Sequence, residues 1–122
     1  MTFDIFYSAL QLDRNLSPWS REQTVVSRIQ EMKKEIAELE ISIKNKDSEN
    51  MHEELGDVLW DLFSVMVIME EKHNLQKEKM IQNIITKLYR RKPFLVTNQK
   101  VSLEEEKRIF QEMKTKEKNN GK

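Results

Sequence analysis

The stretch Val58–Met69, VLWDLFSVMVIM, decides the fold: it is a run of apolar side chains broken only by Asp61 and Ser64. A helix that is apolar almost all round is a buried central helix. It predicts a helix from about Met51 to His73. Gly56, near its start, weakens the helix relative to alanine by roughly 1 kcal/mol and would let a neighbouring helix approach closely.

Upstream, a long helix is predicted from about Arg21 to Lys44. Its apolar positions Val25, Ile29, Met32, Ile36, Leu39 and Ile43 alternate steps of four and three, which is a seam facing another helix. The polar run Lys44–Asn50, KNKDSEN, reads as the loop between the two. A first short helix is expected near Phe3–Asp13, with Thr2 as its cap and Asn15–Ser20 as a linker around Pro18. Downstream, Gln76–Arg91 reads as a helix with Ile81, Ile84, Ile85 and Leu88 on its inner face, ended by Pro93. Ser102 followed by Glu105 is a capping box for a last helix, which Leu103, Ile109, Phe110 and Met113 would dock. The polar end KTKEKNNGK is expected to fray.

The fold class is therefore all-α: an antiparallel bundle of about five helices. A single domain over 1–118 is expected, with 119–122 as a disordered tail. The scarcity of glycine and proline, two each, argues against a sheet-rich chain with many tight turns. A domain of 122 residues buries only about two-thirds of its unfolded surface, so dimerisation would complete the bundle.

Twenty-one basic and 21 acidic residues cancel, which gives no bias toward a nucleic-acid polymer or a membrane. No apolar run reaches the roughly 18 residues of a membrane span. Residues 1–15 lack the basic leader and apolar core of a signal peptide. The absence of cysteine excludes disulfides and thiolate-ligated zinc, and fits a reducing cytoplasm.

Two acid pairs carry the chemistry. Glu35 and Glu38 are three apart on the long helix, and Glu54 and Asp57 are three apart on the central one. Residues so spaced share a helix face. Facing pairs can converge on one point, where mutual repulsion resists ionisation and a hard divalent cation reverses that cost. In a chain one-third charged, the same spacing also arises on ordinary solvated faces. Glu54, Asp57, Asp61 and Ser64 form one polar stripe through an apolar helix. A carboxylate there must bind metal, pair with a buried lysine, or face solvent. Asn83, Lys87 and Arg90 or Arg91 form a basic face suited to phosphate oxygens, although cations at a helix C-terminus also complement its dipole. Trp19 and Trp60 could stack on a base, with the core the default place for Trp60.

Taken in order, these blocks resemble a known family. Ser17–Thr24, SPWSREQT, resembles the CPWDREQT opening of the MazG nucleotide pyrophosphohydrolases. EIAELE at Glu35–Glu40 then falls on that family's EExxE helix, and EELGDVLWDLF at Glu53–Phe63 on its EELGDLLLQVVF segment. KLYRRKPFL at Lys87–Leu95 is similar to KLxRRHPHVF, and Ser102–Lys118 to the terminal EExxxxWExxKxxEK helix.

The resemblance implies an all-α enzyme that assembles as a homodimer or homotetramer. It would hydrolyse a nucleoside triphosphate, NTP or dNTP, to NMP and pyrophosphate with Mg²⁺, for which Mn²⁺ could substitute. Carried over, Glu35, Glu38, Glu54 and Asp57 become metal ligands, with Glu35 and Glu38 also the candidates for general base. Lys87, Arg90 and Arg91 would contact phosphates, and Trp19 would lie near the nucleotide. Lys34 stands where the family has a glutamate, so it would weaken the metal site or bind a phosphate. Phe110 replaces a tryptophan, and Lys92 a histidine. A weakly catalytic regulatory member and a structural helical oligomer are the alternative readings.

Overall fold

The computed structural model describes residues 2–120 and is all-α among them. Seven helices follow one another: α1 (Thr2–Leu16), α2 (Pro18–Glu22), α3 (Val25–Lys44), α4 (Ser48–Lys72), α5 (Lys77–Arg91), α6 (Phe94–Thr97) and α7 (Leu103–Asn119). The five expected helices are all present, and two short ones add to them. No helix among the described residues is long and apolar enough to cross a membrane.

The additional helices and shifted boundaries follow from capping. The expected linker contains α2, because the Ser17 hydroxyl accepts the Ser20 N–H at 3.2 Å and Pro18 fits the first turn. That short helix takes the start away from α3. Gln23 is extended, and Thr24 begins α3 with a reciprocal box: Ser27 N–H donates to Thr24 Oγ1 at 3.0 Å, and Thr24 N–H donates to Ser27 Oγ at 2.9 Å. Asp47 caps α4 through the Asn50 N–H at 3.2 Å, so the loop is shorter than the polar run implied. Pro93 ends α5 but opens α6, which a left-handed Asn98 closes. Thr2 lies inside α1 rather than capping it. Ser102 caps α7, but only its half of the box forms; the Glu105 carboxylate lies 4.0 Å from Arg108.

The chain forms two compact units, 1–75 and 76–122. In the first, α3 and α4 pack along their length as a helical hairpin, and α1 and α2 pack beside them. Tyr7, Leu10 and Val67 are the buried core, surrounded by Phe6, Phe63 and Met66. The ring of Phe63 meets Phe3, Phe6 and Tyr7 with centroids 5.6 to 6.3 Å apart. The central helix α4 is fully buried at Asp61, Val65, Val67 and Ile68, toward α3 and α1, and is not covered all round. Gly56 has open space around it, so it does not serve a close approach of helices within this chain.

In the second unit, α5 packs against α6 and α7. The inner face expected for α5 is not buried: Ile81, Ile84, Ile85 and Leu88 all remain exposed, because two flanking helices cannot cover it. The polar end expected to fray is helical to Asn119; Gly121 and Lys122 lie outside the described residues. A carboxylate latch secures that helix. Arg91 donates to both Glu117 oxygens, from Nε at 3.2 Å and Nη2 at 3.0 Å, and Arg90 Nε donates at 3.1 Å.

Arg91 and Arg90 hold the Glu117 carboxyl at about 2, below its ordinary 4.5. The latch therefore stabilises above pH 4.5 and is lost as pH falls toward 2. In thermal melts followed by circular dichroism, Glu117→Gln is expected to lower Tm at neutral pH. It should also flatten the decline of Tm across that acid window.

Candidate metal and nucleotide site

The α3–α4 hairpin fulfils the geometric condition set by the two acid pairs. One carboxylate oxygen from each of Glu35, Glu38 and Glu54 lies within 4.8 Å of the other two. Asp57 is outside that trio, one turn beyond Glu54, yet its charge acts on both Glu35 and Glu54. The Glu35 and Glu54 carboxyls are close enough for a proton on one to bond to the other. That bond, then burial, then the charges of Glu38, Glu54 and Asp57 push the Glu35 carboxyl up to about 8. The same hydrogen bond pulls Glu54 down, but burial, Glu38 and Asp57 outweigh it and raise Glu54 overall.

One oxygen, Glu54 Oε2, is buried without any hydrogen-bond partner. An orphaned carboxylate oxygen among like charges is costly unless a cation joins it. The donor set is entirely carboxylate oxygen, which suits a hard divalent cation rather than a soft one.

The remaining acid of the stripe is satisfied differently. Asp61 pairs with Arg28 across the hairpin, and both are buried, at 3% and 7% exposure. Of the partners left open by the sequence, the answer is an arginine on the facing helix. Burial pushes the Asp61 carboxyl up, and Arg28 pulls it back down. Ser64 Oγ donates to the Trp60 carbonyl at 2.8 Å. The Arg28 guanidinium also lies over the Trp19 ring, 5.3 Å from its centroid.

A cavity of about 360 Å³ opens alongside, lined by Glu35 and Asp57 near the acid cluster and by Trp19, Arg28, Trp60 and Asp61 further along the hairpin. Arg14 fixes its α2 wall. It pairs with Glu71 at 3.0 Å and donates to the carbonyls of Ser20 and Gln23, tying α2 back to the hairpin. Trp60 is not a core residue: 49% of it is exposed, and it faces this cavity.

Comparisons with known proteins agree with this architecture. The MazG nucleotide pyrophosphohydrolase domain matches residues 23–96, well over half of the chain. The chain belongs to the MazG family. An uncharacterized protein, YabN, from Bacillus subtilis (strain 168) is 36% identical over 87 residues, covering 71% of this chain and 18% of that protein. A nucleoside triphosphate pyrophosphohydrolase from Mycolicibacterium smegmatis is 29% identical over 107 residues, covering 86% of this chain and 33% of that protein. The chain thus spans a third or less of the length of these curated relatives. The crystal structure of a mazG-related protein from Thermotoga maritima superposes with a TM-score of 0.87 at 28% identity, covering 92% of this chain and 98% of that one.

Within this MazG domain, the other candidates are placed as follows. Lys34 is exposed and lies 3.8 Å from Glu31, itself a wall of the cavity. Arg90 and Arg91 belong to the second unit and are already engaged by Glu117. Lys87 makes no ion pair with the described residues and is the freest cation of the basic face. Lys92 pairs with Glu106 at 3.0 Å, and Phe110 lies under Arg91 and Lys114. His52 and His73 are exposed. Arg28 was missed by the sequence reading. The signal for it was Asp61 itself, since a buried acid requires a cation on whatever helix it faces.

The acid cluster yields a pH prediction. Without a divalent cation, folded Glu35 keeps its proton up to about 8, whereas the unfolded chain loses it near 4.5. The folded state binds more protons in that window, so its stability falls as pH rises through it. Added Mg²⁺ or Mn²⁺ is expected to raise Tm most at the upper end, near pH 8. Glu35→Gln should melt no lower than the wild type there without cation, and should lose most of the cation-dependent increment. Differential scanning calorimetry across pH checks both.

Proposed function

We propose that this MazG domain is a Mg²⁺-dependent nucleoside triphosphate pyrophosphohydrolase, converting an NTP or dNTP and water to NMP and pyrophosphate. The observation that carries the reading is the carboxylate trio with its orphaned Glu54 oxygen, beside a cavity of nucleotide size. The name of the mycobacterial relative supports the activity.

Glu35, Glu38, Glu54 and Asp57 would hold Mg²⁺, with Mn²⁺ as a substitute. Bound there, such an ion supplies charge neutralisation for phosphate oxygens and acidifies water at neutral pH. The chain's own residues do the rest. A carboxylate of the cluster, Glu35 or Glu38, takes the proton of the attacking water. Trp19 receives the nucleoside. Lys87, Arg90 and Arg91, with Lys34 on the cluster's own helix, stabilise charge on the phosphates in the transition state. Arg90 and Arg91 would exchange Glu117 for phosphate oxygens, which present the same planar fork to a guanidinium.

Association into a homodimer or homotetramer is part of the reading. Ile36, Ile43, Leu55 and Leu62 on the hairpin, and separately Ile84 and Leu88 on α5, are all more than 40% exposed, and association would cover such side chains. Balanced charge favours a small triphosphate offset by a cation over a nucleic-acid polymer. The absence of cysteine fits work in the cytoplasm.

Loss of a metal ligand removes several kcal/mol of transition-state stabilisation, which is roughly 100-fold or more in rate. Glu38→Gln and Asp57→Asn are expected to lose pyrophosphate release by about that factor while keeping their far-ultraviolet helicity. The assay covers a panel of NTPs and dNTPs with and without Mg²⁺. Wild-type turnover in either variant, or turnover independent of divalent cation, contradicts the assignment.

A further inference from the structure

Arg28 and Asp61 form a polar couple that is not fully satisfied. Although the two are paired and more than nine-tenths buried, Arg28 Nε and Asp61 Oδ2 each lack a hydrogen-bond partner. The couple therefore holds one unused donor and one unused acceptor, both closed off from solvent. Both residues line the same cavity as Glu35 and Asp57, and the direction of the hairpin separates the two sets. Arg28 lies about two turns before Glu35 on α3, and Asp61 about one turn after Asp57 on α4. A ligand whose phosphates lie at the carboxylates would extend its far end to the couple.

That far end is aromatic. The chain has only two tryptophans, and both border this part of the cavity. Trp19 is 59% exposed although Arg28 lies over its ring, and Trp60 is half-exposed, so flat apolar surface is open to a planar ring. Ring stacking tolerates any base. Hydrogen bonds to the base edge discriminate, because a site built for a donor and an acceptor rejects a base that leaves them unpaired.

We infer that Arg28 and Asp61 are specificity-determining residues that read the edge of the nucleobase held between Trp19 and Trp60. Arg28 Nε–H donates to a ring nitrogen or carbonyl of the base, and Asp61 Oδ2 accepts from the adjacent amino or imino hydrogen. Side-chain adjustment of the couple admits the base edge. The inference rests on the proposed pyrophosphohydrolase activity.

The test compares wild type with Asp61→Asn, which keeps shape but removes the charge. The panel is ATP, GTP, CTP and UTP with dATP, dGTP, dCTP and dUTP, read as kcat/KM, together with quenching of tryptophan fluorescence by the corresponding nucleoside monophosphates. The wild type should separate its best and worst bases by roughly tenfold or more, the size expected of an edge contact. Asp61→Asn should compress or reorder that ranking in both readouts, while the Mg²⁺-dependent rise in Tm stays as in the wild type. Should the single variant fail to fold, the Arg28→Met/Asp61→Leu double variant replaces the buried pair with apolar groups, and the same loss of ranking is expected. An equal fall in kcat/KM for all four bases, or an unchanged ranking, overturns the inference and leaves the activity standing. Wild-type protein that hydrolyses none of them overturns both.

Discussion

The mutual repulsion of carboxylates on the α3–α4 hairpin is the constraint around which the first unit is organised. One oxygen from each of three of them lies within 4.8 Å of the others, close enough to push the Glu35 carboxyl up to about 8. Left to itself, a hairpin would relax such a cluster by turning the acids outward. It cannot do so cheaply here, because the register is fixed elsewhere. The Thr24–Ser27 box sets where α3 begins, Asp47 sets where α4 begins, and the Arg28–Asp61 pair ties the two helices together. The aromatic contacts of α1 with Phe63 hold α4 from its other side.

The hairpin contains two charge problems, one buried and one partly exposed, with opposite solutions. Asp61 has an internal cation, Arg28, at hydrogen-bonding range. Among the described residues the Glu35–Glu38–Glu54 trio has no such ion pair: Lys34, next to Glu35 in sequence, turns to Glu31 on the surface. One acid is paired within the chain, whereas the trio is the candidate site for an external cation. The second unit shows the same logic with signs reversed. Arg90 and Arg91 converge on a single carboxylate, Glu117, which keeps the guanidiniums together and oriented until a better anion competes.

Much of this was legible in the residues. Apolar periodicity located the five long helices, because burial of a face sets the spacing. The spacing of Glu35 with Glu38 and Glu54 with Asp57 located the acid cluster, because three residues is nearly one helical turn. What escaped was local or tertiary. The short helices α2 and α6 depend on Ser17, Pro18 and Asn98 as caps, which weigh little against a polar composition. Trp60 was expected in the core because its neighbours in sequence are apolar, but its helix is not covered all round and Trp60 is half-exposed. Asp57 was expected within the cluster; it lies outside the trio within 4.8 Å but acts on Glu35 and Glu54 and lines the same cavity as Glu35. The partner of Asp61 could be anticipated as a cation but not located, since pairing across two helices depends on a register that spacing within one helix does not fix.

The central claim is that Glu35, Glu38 and Glu54 create a divalent-cation site whose affinity comes from their enforced proximity. Titration of Mn²⁺ into the wild-type chain and into Glu54→Gln, with free Mn²⁺ followed by electron paramagnetic resonance, tests it most directly. The account predicts saturable loss of the free-ion signal with the wild type, competition by Mg²⁺, and little loss with the variant at matched helicity. Equal free-ion signals for the two proteins across the titration would contradict it.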